Sequence, residues 1–237
     1  MKFKILGKYG PFAVNGGSTS GYLVKGSGKC VMLDCGSGTV SRMLSDIDIN
    51  DLECVVLSHL HADHIADTGV LSYAVGFLKR DKKLTVYLPY SETEEYQLIK
   101  NNSAFVTVDI AEGATFSSGG FSFEFYKTSH PVTSYGVRVT EGGRTLGYTG
   151  DSRLCDGVEK IASDSDALIC HGVFLPRDFK PEKPHMSIIQ GAELSARYGV
   201  KTVLSHQNFS YSDEEIEEII KPYKNVILAK EGAEYVV

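Results

Sequence analysis

The sequence predicts an α/β layered domain, with β-sheets covered by helices. Three observations carry that expectation. Many short runs are β-branched or aromatic and are bounded by Gly, Pro, Ser or Asp, as strands are. Longer amphipathic stretches with helix-start signals lie among them. The chain of 237 residues is 42% hydrophobic and 23% charged, enough apolar material for a core in one sizeable domain spanning 1–237.

Taken in order, the first strands are expected at 2–6, 21–24 and 30–34, the last closing on Asp34-Cys35-Gly36. A helix follows at 39–45, then the strand 54–58, built on Cys54-Val55-Val56-Leu57. Helices at 64–78 and 92–100 flank a strand at 84–88. Strands follow at 105–109, 121–127, 135–140 and 145–149. The C-terminal part alternates: helix 154–162, strand 167–170, helix 187–198, strand 202–205, helix 213–223, strand 226–229. Ser187 stands as an N-cap before Ile188, Ile189, Ala192 and Leu194. Ser212 opens onto Asp213-Glu214-Glu215, acids that favour the positive end of a helix. No repeat, long linker or low-complexity stretch interrupts this order.

Composition excludes several classes. No run approaches the ~18 apolar residues of a membrane span, and the N-terminal apolar run is too short for a signal-peptide core, so a cytoplasmic location is expected. Five cysteines form an odd set without a Cys-x-x-Cys pair, against a disulfide framework or a structural zinc knuckle. Cys30, Cys54 and Cys170 sit in apolar strand-like runs and read as buried hydrophobes, whereas Cys35 follows Asp34 in a turn whose place relative to the histidines is open. A formal net charge of −6 argues against nucleic-acid binding by a general positive field, yet permits a phosphate-bearing substrate where bound metal ions supply local charge.

The seven histidines carry the chemistry. They fall just after strand-like runs or in loops: His59 after Val55-Val56-Leu57-Ser58, His130 after the 121–127 strand, His171 after Leu168-Ile169-Cys170, His206 after Val203-Leu204-Ser205. Asp151 stands likewise behind the 145–149 strand. Polar residues at the C-terminal ends of strands gather at one sheet edge, where open α/β folds place their sites. In an extended segment His59, His61 and Asp63 share one side, while His64 begins the next helix. Imidazole and carboxylate are ordinary zinc ligands, and four in six residues exceed what one tetrahedral site uses; two metals roughly 3.5–4 Å apart would employ them all.

His59-Leu60-His61-Ala62-Asp63-His64 resembles the His-x-His-x-Asp-His signature of the metallo-β-lactamase-fold hydrolase superfamily, and within it the ribonuclease Z-like branch. The resemblance extends to Asp34-Cys35-Gly36-Ser37-Gly38, to His130 with Ser134-Tyr135-Gly136, to Gly150-Asp151, to His185-Met186-Ser187, and to Ser205-His206 with Ser210-Tyr211. It implies a four-layer αββα sandwich. It also implies two zinc ions, with manganese, iron or nickel as alternatives, one held by His59, His61 and His130 and the other by Asp63, His64 and His206. Asp151 would bridge them. Histidine at position 61, where oxygen-reducing di-iron relatives carry an acid, favours redox-inert zinc.

The chemistry so implied is hydrolysis by a metal-bridging hydroxide. The catalytic candidates are Asp63, His185 and His171. His185, in a Pro-rich loop, is the candidate proton donor or phosphate contact, and Asp34 either orients a ligand histidine or bonds its own turn. His171 departs from the family pattern: ribonuclease Z-like chains place a glutamate at this strand end to orient the downstream histidine, and a histidine there leaves its role between proton transfer and substrate binding.

A small phosphodiester is the leading substrate expectation. A carboxylic ester, lactone or thioester is the alternative, and a silent binding module conflicts with the complete ligand set. Transfer RNA as a partner is disfavoured, because 64–130 holds no long basic insertion, only the short basic stretch 79–83, read as a solvated loop. A homodimer stays open, with no interface signature.

Overall fold

The computed structural model describes residues 1–78 and 82–237. Two seven-strand β-layers form its centre. The first runs edge to edge as Glu234–Val236, Lys2–Gly7, Gly21–Lys25, Cys30–Leu33, Leu52–Val56, Leu84–Pro89 and Phe105–Ile110. The second runs Val226–Leu228, Lys201–Ser205, Ala167–Phe174, Arg144–Tyr148, Tyr135–Glu141, Phe121–Lys127 and Thr115–Ser118, with Met186–Ser187 added beside Ala167–Phe174. A separate two-stranded ribbon pairs Tyr9–Gly10 with Gln207–Asn208.

Alternation of side chains explains the layering. Phe3, Ile5, Tyr22, Val24, Leu33 and Val56 from the first sheet meet Phe123, Phe125, Val137, Leu146, Tyr148 and Ile169 from the second, and together they form the buried middle. The outer face of the first sheet packs Leu23, Met32, Val55 and Val86 under Val40, Met43, Leu71 and Ile99 of the helices Thr39–Leu44, Thr68–Phe77 and Glu94–Lys100. Leu168, Cys170 and Leu204 do the same against Val158, Ile161, Leu194 and Ile216 of Asp156–Ser163, Ile188–Tyr198 and Asp213–Ile220. This is the four-layer αββα sandwich. Ser187 and Ser212 both form complete capping boxes, with Gln190 and Glu215.

Three local expectations are corrected. The helix expected over 64–78 is two helices, Ala62–Ile65 and Thr68–Phe77. The break falls at Asp67, whose carboxylate accepts from Val40 N at 3.0 Å while its own N–H bonds the Cys35 carbonyl. His64 therefore does not begin a helix; it lies with Asp63 inside the short one, which His61 precedes. The strand expected to end at Cys170 continues to Phe174 and takes His171 into its interior. Of the basic stretch 79–83, residues 79–81 lie outside the described residues.

Candidate metal centre

Strand ends and two tight turns deliver the polar side chains to one place. His59 leaves the strand Leu52–Val56 by three residues, and His61, Asp63 and His64 follow on the short helical turn. His130 comes from the loop after Phe121–Lys127, Asp151 from the loop after Arg144–Tyr148, and His206 from the end of Lys201–Ser205. His206 has φ 61°, a left-handed backbone that β-carbon-bearing residues rarely adopt. That turn needs room: a β-carbon on Gly10 would stand 2.1 Å from the His206 ring, so glycine is what lets the ring lie there.

The seven side chains form two groups that share one member. His59, His61, His130 and Asp151 offer donor atoms within 4.8 Å of one another, as do Asp63, His64, Asp151 and His206. In the first group His61 Nδ1 lies 3.0 Å from His59 Nε2 and 3.1 Å from His130 Nε2. In the second, Asp151 Oδ2 lies 3.3 Å from His64 Nε2 and 3.4 Å from His206 Nε2. Asp63 Oδ2 is 3.6 Å from His64 Nε2 and 3.7 Å from His206 Nε2.

The donor set fits divalent metal ions. A ligating imidazole keeps one nitrogen bonded outward and presents the other's lone pair. His64 Nδ1 donates to Asp34 Oδ2 at 2.6 Å, and its Nε2 is buried without a hydrogen-bond partner. His206 Nδ1 is held by Ser20 Oγ at 2.9 Å, and His59 Nδ1 by Ser58 Oγ at 3.0 Å. His130 Nδ1 donates to the Pro184 carbonyl at 3.4 Å. Inward lone pairs that would otherwise face one another are what a cation satisfies.

Electrostatics follows from burial. Desolvation holds His59 and His206 well below the ordinary imidazole range and brings His130 down to about 4. Burial also lowers His64, but Asp151 and Asp34 outweigh it and carry that imidazole well above its usual value. For Asp151 burial is overcome by His206, His64 and His171, and its carboxyl sits well below the carboxylate range. Asp63 is raised by burial.

Asp34 orients a histidine. Its carboxylate accepts from Ser58 N at 2.7 Å, Ser58 Oγ at 2.8 Å, His64 Nδ1 and the Tyr148 hydroxyl, and not from its own backbone. His185 stands at the rim. Its Nδ1 lies 3.8 Å from Asp151 Oδ2 with no hydrogen-bond partner, and its side chain is 16% exposed. Arg153 ties the loop before it, donating to the carbonyls of Lys183 and Glu182 at 2.8 Å each. Burial lowers the His185 imidazole.

His171 lies beneath the two groups. It is fully buried, and its Nδ1–H donates to Asp151 Oδ1 at 2.7 Å, while Nε2 is hydrogen-bonded to the Tyr22 hydroxyl at 2.9 Å. It reaches neither solvent nor His185; instead the His206 ring stacks against both His171 and His185. Held between Asp151 and Tyr22, the His171 ring is set to orient the Asp151 carboxylate. Cys35 lies in the outer core beside Val40 and Met43, its thiol raised by burial. Ser20, Ser58, Tyr22 and Tyr148 went unnoticed in the sequence, and only the Ser18-Thr19-Ser20 hydroxyl run gives any local signal.

The chain belongs to the β-lactamase superfamily: the family model described as "Beta-lactamase superfamily domain" matches residues 29–206. It is a metal-dependent hydrolase of that superfamily. It is similar to the "Probable metallo-hydrolase YhfI" of Bacillus subtilis (strain 168), 33% identical over 208 residues that cover 86% of this chain and 85% of that one. The crystal structure of the metallo-β-lactamase fold protein YhfI from Bacillus subtilis superposes with a TM-score of 0.91 at 28% identity, covering 99% and 98% of the two chains. Ribonuclease Z of Streptomyces coelicolor is 26% identical over 249 residues, 83% of each chain.

Proposed function

We propose that this hydrolase cleaves a small phosphodiester at a centre of two zinc ions, one held by His59, His61 and His130, the other by Asp63, His64 and His206, with Asp151 common to both. The observation that carries the reading is the pair of four-residue groups sharing Asp151, with the unpartnered Nδ1 of His185 beside them. The similarity to ribonuclease Z, an enzyme acting by its name on a phosphodiester-linked polymer, supports this bond class. When bound, two such ions draw charge from phosphoryl oxygens and acidify a shared water.

The chain's own side chains do the rest. Asp34, Ser58 and Ser20 fix the His64, His59 and His206 rings, so the inward nitrogens need no reorganisation when the site fills. The carboxylate of Asp63 is 8% exposed and can orient the attacking water by accepting its hydrogen bond. His185 presents its ring to the leaving oxygen and supplies the proton-bearing contact there. Among the described residues, 62–130 hold the helices Ala62–Ile65, Thr68–Phe77 and Glu94–Lys100 and strands of the two sheets, an arrangement that suits a small substrate better than a folded RNA.

The test is a panel run on protein of defined metal content: bis(p-nitrophenyl) phosphate, p-nitrophenyl acetate and a set of lactones. Phosphodiester turnover above the others is expected. Strong lactone or ester turnover without phosphodiester turnover would replace this reading with ester hydrolysis on the same centre.

A further inference from the structure

Two phenylalanines stand exposed on the segments that flank Gly10 and His206, and neither belongs to the two donor groups. Phe12 is 50% exposed and Phe209 45% exposed, yet their rings lie 4.4 Å apart with an interplanar angle of 31°. Single exposed apolar side chains are ordinary, but two rings in contact present a small aromatic face. Their place in the chain ties that face to His206. Phe209 is three residues beyond His206, and Phe12 is two beyond Gly10, the glycine in contact with the His206 ring.

The segments that carry the rings are fixed. Gln207 pairs with Tyr9 and Asn208 with Gly10, and Gln207 N–H donates to the Lys8 carbonyl at 2.6 Å. Beneath this ribbon the Lys8 ammonium, 5% exposed, donates to both carboxylate oxygens of Asp213 at 2.8 and 2.9 Å, and Gln207 Nε2 donates to the same carboxylate at 2.7 Å. Asn208 Oδ1 accepts from Ser210 N at 2.9 Å, setting the turn that presents Phe209. A part-buried ion pair under the two-residue ribbon holds the two segments that carry the rings together, next to His206 in the chain.

The geometry points to Phe12 and Phe209 as a subsite for a planar aromatic group, an aryl ring or nucleobase, attached to the substrate phosphodiester. Phenyl faces accept such rings by offset or edge stacking, without demanding particular hydrogen bonds. The inference rests on the proposed phosphodiester reading for the substrate's other half, while the ring recognition stands on the aromatic pair alone. It deepens that reading by favouring aryl or nucleoside esters over alkyl ones.

The test has two arms, both on metal-loaded protein. In the first, KM and kcat for bis(p-nitrophenyl) phosphate are compared between wild type and F12L/F209L, which keeps apolar bulk and removes the rings. A KM raised roughly tenfold, within the 5- to 150-fold that one stacked ring is worth, with little change in kcat and melting temperature, is expected. Unchanged KM in a folded variant overturns the subsite. The second arm needs no turnover. The chain contains no tryptophan, so F209W introduces a single reporter in the pair. Its fluorescence is titrated with phenylphosphonate and with ethylphosphonate. Several-fold tighter response to the phenyl compound supports the subsite, and equal responses, or none, overturn it. If wild type leaves the phosphodiester untouched, the proposed function falls, and the F209W titration still decides the subsite. The same titration decides it if F12L/F209L fails to fold.

Discussion

Substituting His171 by alanine separates positioning from packing beneath the centre. Asp151 Oδ1 accepts from His171 Nδ1 at 2.7 Å, and its short approaches to the imidazoles of His59, His64 and His206 all run through Oδ2. The two oxygens are thus divided, one anchored below and one offered to both groups. In His171→Ala the anchored oxygen is left in a side chain that is 1% exposed, with its donor gone. Removing the partner of a buried polar atom costs about 1–3 kcal/mol, more for a charge. The carboxylate can also turn, and losses of about 10- to 100-fold in metal affinity are typical when a residue that orients a ligand is removed. We expect the affinity for each of the two proposed zinc ions to fall by that factor, because Asp151 belongs to both groups. Competition with a chromophoric chelator measures it. His171→Asn, whose amide nitrogen can stand near the place of Nδ1, should recover most of the loss, whereas His171→Leu should not. Wild-type affinity in a folded His171→Ala, or equal loss in the Asn and Leu variants, would refute the division of Asp151's oxygens.

His185→Ala should lower kcat roughly 100-fold while leaving metal stoichiometry intact by elemental analysis, and loss of metal would mean that His185 is a ligand. Gly10→Ala places a methyl 2.1 Å from the His206 ring, so of the two ions proposed the one in the group containing His206 should be lost, read as metal per chain by elemental analysis. Asp213 is opposed by burial, but Lys8 and Gln207 hold its carboxyl below the ordinary range. A depressed folded value gives stability that is present above the unfolded pKa of ~3.9 and is lost as pH falls through the folded one. The Asp213 side chain is 40% exposed and screened, so Asp213→Asn should melt only about 1–3 °C below wild type at pH 7, with the gap closing under pH ~4 in thermal scans.

The residues of the candidate centre were legible because metal binding restricts both residue type and spacing. His59, His61, Asp63 and His64 fall in six residues, and Asp151 and His206 sit where strands run out. Their division into two groups sharing Asp151 came from the family resemblance and not from chain geometry. An extended segment would have put His59, His61 and Asp63 on one side, but Ala62–Ile65 coils, sending Asp63 and His64 to the second group. The coil ends where Asp67 bonds Val40 and Cys35, contacts made by folding and invisible to helix periodicity. The side chains that aim the imidazoles were hidden for a related reason. Tyr22 and Tyr148 read as strand hydrophobes, and their hydroxyls find His171 and Asp34 only when the two sheets face each other. His171 misled because the strand runs four residues past the apolar stretch that announced it, turning an apparent strand-end residue into an interior one.

Charge sharpens the choice between an anionic and a neutral substrate. The chain as a whole carries −6, which repels a phosphodiester at long range. At the proposed centre two divalent ions would be held against the carboxylates of Asp63 and Asp151, with Asp34 a third behind His64, an excess of about one positive charge while the shared water is still neutral. The two fields act over different distances and predict opposite salt effects. Attraction by the centre makes kcat/KM for bis(p-nitrophenyl) phosphate fall as salt rises through ~0.1 M, where the Debye length is about 10 Å. Repulsion by the whole chain would make it rise. p-Nitrophenyl acetate, being neutral, should respond to neither. A rising phosphodiester rate would show that the carboxylates overcompensate the bound charge, and the case for an anionic substrate would lose its electrostatic footing.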